Sequence, residues 1–199
     1  MRMWFLGTLS SLLLAALGAV GQAHAAPAAG SATAFVRGKQ AELTRLMKKG
    51  GAQEDKLQEL IDALLDFEAL AKRSLGKHWE AQSDKERARF VSLLRTLVHK
   101  NYQANIRRTL DYKVDYEDEA KTSDGVRVSS IAKSRRNKRA PAVTIAYTLH
   151  KAAAGWRVHD IITDGASLVR NYRRQFHKLI KKEGWDGLIA RMEKKRDAK

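Results

Sequence analysis

The stretch Gly165-Ala166-Ser167-Leu168-Val169 puts a serine just past a glycine, where a strand pattern gives way to a helical one. Serine hydrolases present a nucleophile from such a corner, but they need a second glycine two residues after the serine, and here that place holds Val169. Ser167 therefore reads as a helix cap, with Gly165 supplying the backbone angles of the corner. Just upstream, His159 and Asp160 are adjacent; on an alternating strand they point to opposite faces, which excludes a local acid–base pair. His78, His99, His150, His159 and His177 show no metal-ligand spacing, and the chain has no cysteine to act as nucleophile or ligand. There is no phosphate loop and no dinucleotide fingerprint. The expectation is a non-enzymatic protein without cofactor or metal.

Two charged features remain after that elimination. Asp160 shares the alternation of Trp156, Val158 and Ile162, which places a carboxylate on an apolar face. It either meets solvent, a backbone donor or an arginine at an edge, or stands at the rim of a pocket. The run Lys133 to Arg139, "KSRRNKR", falls between two strands and is either a solvated loop tip or a docking surface.

The elements that position these residues can be read from periodicity. A first helix is expected over Thr33 to Lys49, with Phe35, Val36, Leu43, Leu46 and Met47 inward and Gly50-Gly51 as its stop. A second covers Gln53 to Leu65, with Leu57, Leu60, Ile61, Leu64 and Leu65 as its stripe. Asp66 caps a third that Gly76 ends, and Ser83 with Glu86 forms a capping box for a long fourth. The stripe of that fourth helix is Phe90, Leu93, Leu94, Leu97, Val98, Tyr102, Ile106 and Leu110.

The period then drops to two. Strands are expected around Val114–Tyr116, Val126–Val128, Val143–Leu149 and Trp156–Ile162, joined as an antiparallel meander. Two helices follow, Ser167 to Lys182 and Trp185 to Lys194. On the first of these, Leu168, Val169, Tyr172, Phe176, Leu179 and Ile180 face inward and Arg170, Arg173, Arg174, Lys178, Lys181 and Lys182 surround them. The fold class is α+β, a four-stranded antiparallel sheet packed against several helices.

The beginning of the chain reads as an export signal. Arg2 is followed by the apolar stretch Leu12 to Val20 and by Ala23-His24-Ala25, whose small residues suit a signal peptidase. The apolar run is too short for a membrane span. Residues 1–25 are thus expected to be a signal peptide, 26–32 a flexible leader and 33–199 a single domain. The net charge of +16, one unit lower once Arg2 leaves, favours anionic partners. Export makes nucleic acid the least suitable of these and acidic lipid or polymer the more suitable.

Two separated motifs carry a family resemblance. "DFEALAKRS" leading into Leu75-Gly76-Lys77-His78-Trp79, with the long helix from Ser83, is one of them. "WRVHDIITDGASLVRNYRRQF" followed by "IKKEGWDGLIARMEKK" is the other. In order and spacing the chain resembles the MlaC / toluene-tolerance family over nearly all of its mature length, departing from it at Glu86, at His159 and in the basic Arg135–Arg139 turn. The resemblance implies a periplasmic carrier, expected to be a monomer, that buries phospholipid tails in an apolar cleft and shuttles the lipid between inner and outer membranes. It implies as partners an inner-membrane ABC-type transporter complex and an outer-membrane lipoprotein–porin assembly, with some relatives associated with hopanoids. The candidate cleft walls are Leu64, Phe67, Leu70, Trp79, Phe90, Leu94, Tyr102, Ile145, Tyr147, Val158, Tyr172 and Phe176. Arg170, Arg173 and Arg174 are candidates for head-group or partner contact. An exported anionic-polymer-binding or structural protein is the competing reading, and a lipid hydrolase the weaker third.

Overall fold

The structure is a computed structural model that describes residues 28, 30–48 and 54–198, apart from the side chains of 104–109. The expected signal peptide, the Gly50-Gly51 stop, the helix-boundary residues Lys49 and Gln53 and the side chain of Ile106 lie outside the described residues. Four helices come first: α1 (Ala32–Lys48), α2 (Glu54–Leu64), α3 (Phe67–Leu75) and α4 (Asp84–Thr109). Strands β1 (Tyr112–Thr122), β2 (Gly125–Ser134), β3 (Val143–Ala152), β4 (Gly155–Thr163) and β5 (Ala166–Ser167) follow, and α5 (Leu168–Asp197) closes the chain.

Local chemistry sets the helix ends. Asp66 accepts the Ala69 amide at 2.8 Å and starts α3. At α4, Ser83 Oγ accepts the Glu86 amide at 3.3 Å while the Glu86 carboxylate accepts the Ser83 amide at 3.0 Å, the reciprocal capping box. Ser167 Oγ accepts the Arg170 amide at 3.0 Å and starts α5. The two helices expected at the end of the chain are both present within α5, separated by a kink at Gly184, where φ is 73°.

The sheet runs in the order β1-β2-β3-β4-β5 with every neighbouring pair antiparallel. It therefore has one strand more than the four expected. The extra strand arises because Asp164 and Gly165, with φ of 47° and 78°, turn the chain back on itself, pairing Ile162 with Ser167 and Thr163 with Ala166. Two consecutive positive φ values are what a two-residue I′ hairpin needs, and Asp-Gly is a preferred sequence for it. The Asp164 carboxylate holds the turn against β3 by accepting the Thr144 amide at 2.9 Å.

A second departure lies inside β4. Leu149 pairs with Val158 but Thr148 pairs with Asp160, so β4 carries an extra residue at His159. Beyond this bulge the alternation changes phase. Asp160 and Ile162 share a face with Thr148, and Ile161 takes the face of Tyr147. The expectation that Asp160 and Ile162 lie on the apolar face with Val158 is thus corrected.

On that apolar face Val128, Leu149 and Val158 are fully buried. It is covered by α1, α2 and the distal part of α4. Thr33 at the start of α1 donates its amide to Glu119 of β1 at 2.7 Å, and the Arg37 guanidinium lies 5.3 Å over the Tyr116 ring. Where α2 gives way to α3, Leu65 makes a parallel bridge to Val158, and the Asp66 amide donates to the Val158 carbonyl at 2.8 Å along the outer edge of β4.

Candidate functional site

Two cavities lie on opposite faces of the sheet, and they differ in chemistry. On the apolar face, Val36 and Leu43 of α1 stand two turns apart. With Leu60, Ile61 and Leu64 of α2, Tyr102 of α4 and Tyr147 of β3 they enclose a narrow slot. Its free volume is about 10 Å³, close to that of a single water position. Burial raises the pKa of the Tyr102 and Tyr147 phenols, and pushes neighbouring Tyr116 up to about 12 despite the opposing Arg37 charge. All three phenols are neutral at any physiological pH. Lys39 and Leu60 belong both to this slot and to a shallow groove between α1 and α2 of about 490 Å³. Lys39, Arg45 and Lys56 are the cations of that groove, Glu42 and Glu59 its acids, and Lys39 pairs with Glu42 at 3.0 Å.

Of the candidate wall residues, the slot brings together Leu64, Tyr102 and Tyr147. Ile145 is half-buried two residues from Tyr147 on the same face, opposite Ser130, whose hydroxyl donates to the Ile145 carbonyl at 3.0 Å. Phe67, Leu70, Trp79, Phe90, Leu94, Val158, Tyr172 and Phe176 are instead packed into the buried core. Phe90 meets Phe176 edge-on at 5.3 Å, Tyr172 stacks on Phe176 at 5.3 Å, and Trp185 lies 5.8 Å from Phe90. Phe67 sits edge-on to His99, which reaches Asp62 of α2 at 2.9 Å. Trp79 is covered by Arg87, whose Nε donates to the Trp79 carbonyl at 3.0 Å. The slot's other walls, Val36, Leu43, Leu60 and Ile61, were legible as inward stripes, but nothing in the periodicity distinguished a wall from ordinary core.

The reverse face holds a polar pocket of about 300 Å³. Arg127, Thr148 and Asp160, paired across β2, β3 and β4, form its floor. The β1–β2 turn (Thr122, Ser123, Asp124), Arg73 of α3, and Val169, Arg170 and Arg173 of α5 form its sides. Asp160 accepts the Ser167 hydroxyl at 2.6 Å and the Val169 amide at 3.0 Å, so both readings of this residue hold: it meets a backbone donor and it lines a pocket. The bulge turns His159 into the same pocket as Asp160, which overturns the expectation that the two point to opposite faces. Burial first, then the Arg73 and His150 charges, push the His159 imidazole down to about 4, while Asp124 and Asp160 oppose the shift. His159 Nδ1 lies 3.1 Å from His150 Nδ1, and His150 Nε2 lies 3.0 Å from Asp66.

The three arginines singled out on α5 separate. Arg173 donates from Nε and Nη2 to the Arg73 carbonyl at 2.9 and 2.7 Å, which caps the end of α3. Arg170 donates to the Gly165 carbonyl at 3.1 Å. Both line the polar pocket, whereas Arg174 turns to Asn171 on its own helix. The basic run between β2 and β3 is an exposed turn in which Arg136 pairs with Asp111 at 2.8 Å. Among the described residues no three acidic or histidine side chains are grouped to hold a metal, and no helix is long and apolar enough to cross a membrane.

A family model described as MlaC protein matches residues 39–194. A solved structure, a phospholipid-binding protein from Ralstonia solanacearum in complex with a phospholipid, has a similar fold with a TM-score of 0.71. It is 22% identical over 83% of this chain and 96% of its own. No curated protein is significantly similar in sequence.

Proposed function

Since the chain belongs to the MlaC family, we propose that it is a non-catalytic periplasmic carrier that buries phospholipid acyl tails and shuttles the lipid between the inner and outer membranes. The slot between α1, α2 and the sheet carries this reading: of its nine lining residues seven are aliphatic or aromatic, and Lys39 and Gln40 stand where it runs out into a groove of three cations and two carboxylates. Each buried methylene is worth about 0.8 kcal/mol, so a long acyl chain costs on the order of 10 kcal/mol in water and cannot cross an aqueous compartment unescorted.

In this reading α1 and α2 separate from the sheet to admit the tails. Apolar surface exposed by that separation is covered again by hydrocarbon, so helix–sheet contacts are exchanged for helix–tail contacts of similar worth. Val36, Leu43, Leu60, Ile61, Leu64, Tyr102 and Tyr147 are the proposed walls, and Lys39, Arg45 and Lys56 stand where a head-group phosphate leaves the slot. Partners of an inner-membrane ABC-type transporter complex and an outer-membrane lipoprotein–porin assembly, a signal peptide over 1–25 and a single domain over 33–199 belong to the same reading. That the solved relative of like fold is in complex with a phospholipid supports it.

The test is mass spectrometry of solvent extracts from protein purified without detergent. Co-purified diacyl phospholipid is the expected result. A hopanoid or another amphiphile in its place changes the cargo and keeps the carrier, and no amphiphile in any gentle preparation overturns the proposal.

A further inference from the structure

The polar pocket on the reverse face has no part in burying tails, yet it is large and unevenly charged. Four guanidinium groups line it, from Arg73, Arg127, Arg170 and Arg173, against two carboxylates. Both carboxylates are already matched. Asp124 pairs with Arg73 at 2.9 Å, and Asp160 is satisfied by the Ser167 hydroxyl and the Val169 amide. That leaves three cations without a carboxylate. Arg170 and Arg173 bond only to main-chain carbonyls, which use part of each fork and neutralise none of its charge. The Arg127 side chain makes no hydrogen bond or ion pair among the described residues.

Such an arrangement is maintained against mutual repulsion, and its natural complement is an anion with several oxygen acceptors. Arginine forks match phosphate geometry, and charge-assisted bonds to it are about twice as strong as neutral ones. A volume of about 300 Å³ accommodates a small molecule rather than an ion alone. The sheet separates this pocket from the slot, because Thr148 and Tyr147 point to opposite faces of β3. The head group of a lipid whose tails fill the slot therefore does not reach it.

We propose that the pocket bounded by Arg73, Arg127, Arg170 and Arg173 is a second ligand site, which takes a phosphate group presented on the far side of the sheet from the lipid slot. The group arrives either on a small soluble ester or on the surface of an anionic membrane, and the experiment separates the two. Exported protein is titrated with sn-glycerol 3-phosphate at near-physiological salt, with binding followed through the ring resonances of His159, and in parallel is sedimented with phosphatidylglycerol vesicles. Variants are Arg127→Gln, which breaks no bond within the fold, and Arg135→Gln in the exposed basic turn as a control of equal charge change.

The expected result is that Arg127→Gln weakens one of the two interactions by about tenfold, the size of one charge-assisted bond, while Arg135→Gln leaves it near wild type. Loss in the ester arm assigns a soluble ligand, and loss in the vesicle arm assigns a membrane surface. Equal effects of the two variants in both arms, or no ester shift and no vesicle binding at all, overturn the site. Lipid content by mass spectrometry in the same samples is expected to be unchanged, so this site and the carrier can fail separately.

Discussion

One sheet bounds two cavities, and they respond oppositely to being bounded by protein. The slot under α1 and α2 is lined by nine residues, seven of them aliphatic or aromatic, and has closed to about 10 Å³. The pocket under α3 and α5 is lined by arginines and short polar side chains and keeps about 300 Å³. An apolar gap forfeits dispersion on every wall and gains nothing from hydration, so helices settle until it vanishes. Guanidinium groups repel and hold their water, so a cluster of them props space open. Volume alone would therefore point away from the proposed tail site and toward the polar pocket. For a greasy cargo, the telling quantity is how little it costs to part the walls.

The packed helical core around Phe90 belongs to neither cavity. Phe90→Ala removes the ring that meets Phe176 and Trp185 and is expected to cost about 3–5 kcal/mol in denaturant unfolding. The protein that remains folded should keep its lipid load; a selective loss of lipid at intact stability would move the tail site from the slot to this core. Next in size, Asp160→Ala leaves the Ser167 hydroxyl proton and the Val169 amide without their acceptor and is expected to cost about 2 kcal/mol. It also makes the reverse pocket more basic, so glycerol phosphate should bind more tightly even as the fold weakens.

Acid should affect the two faces unequally. The His159 imidazole titrates at about 4 in the fold against 6.5 when unfolded, so between those values the unfolded chain carries the extra proton. Stability on this account is intact above pH 6.5 and falls as pH drops toward 4, by up to about 1.4 kcal/mol per pH unit. His159→Gln should flatten that slope in unfolding curves at pH 5 and pH 7, and an unchanged slope would show that the bulged histidine is not held neutral. The smallest stability effect is expected at the slot: Leu64→Ala, at a half-buried position, should cost under about 2 kcal/mol. Its lipid retention should nevertheless change more than that of any variant on the reverse face.

What could be read ahead of the structure was what depends on near neighbours. Asp66, Ser83 with Glu86, and Ser167 were legible as caps because a cap and its amide lie within three residues. The apolar stripes of α1, α2 and α4 were legible for the same reason. What failed was what needs a partner strand. The bulge at His159 is visible only in how β4 aligns with β3, and it reversed the faces assigned to Asp160 and Ile162. The fifth strand escapes a reading of Asp164-Gly165 as a corner alone, because the same dipeptide is also a hairpin signal. Arg170, Arg173 and Arg174 looked alike on one helix, and only the fold sent two of them to the reverse pocket. The division of apolar residues into slot and solid core was beyond periodicity, since both use the same spacing.

The bridge from Leu65 to Val158, with the Asp66 amide bonded alongside it, pins the C-terminal end of α2 to β4. A rod fixed at one end can only swing. At 1.5 Å per residue the 11 residues of α2 make a lever of roughly 16 Å, and a tilt of about 15° lifts its free tip by roughly 4 Å, the contact spacing of two carbon atoms. The gap would thus widen as a wedge, broadest near Glu54 and tightest at Leu64, and an aliphatic chain would thread in from the Glu54 end.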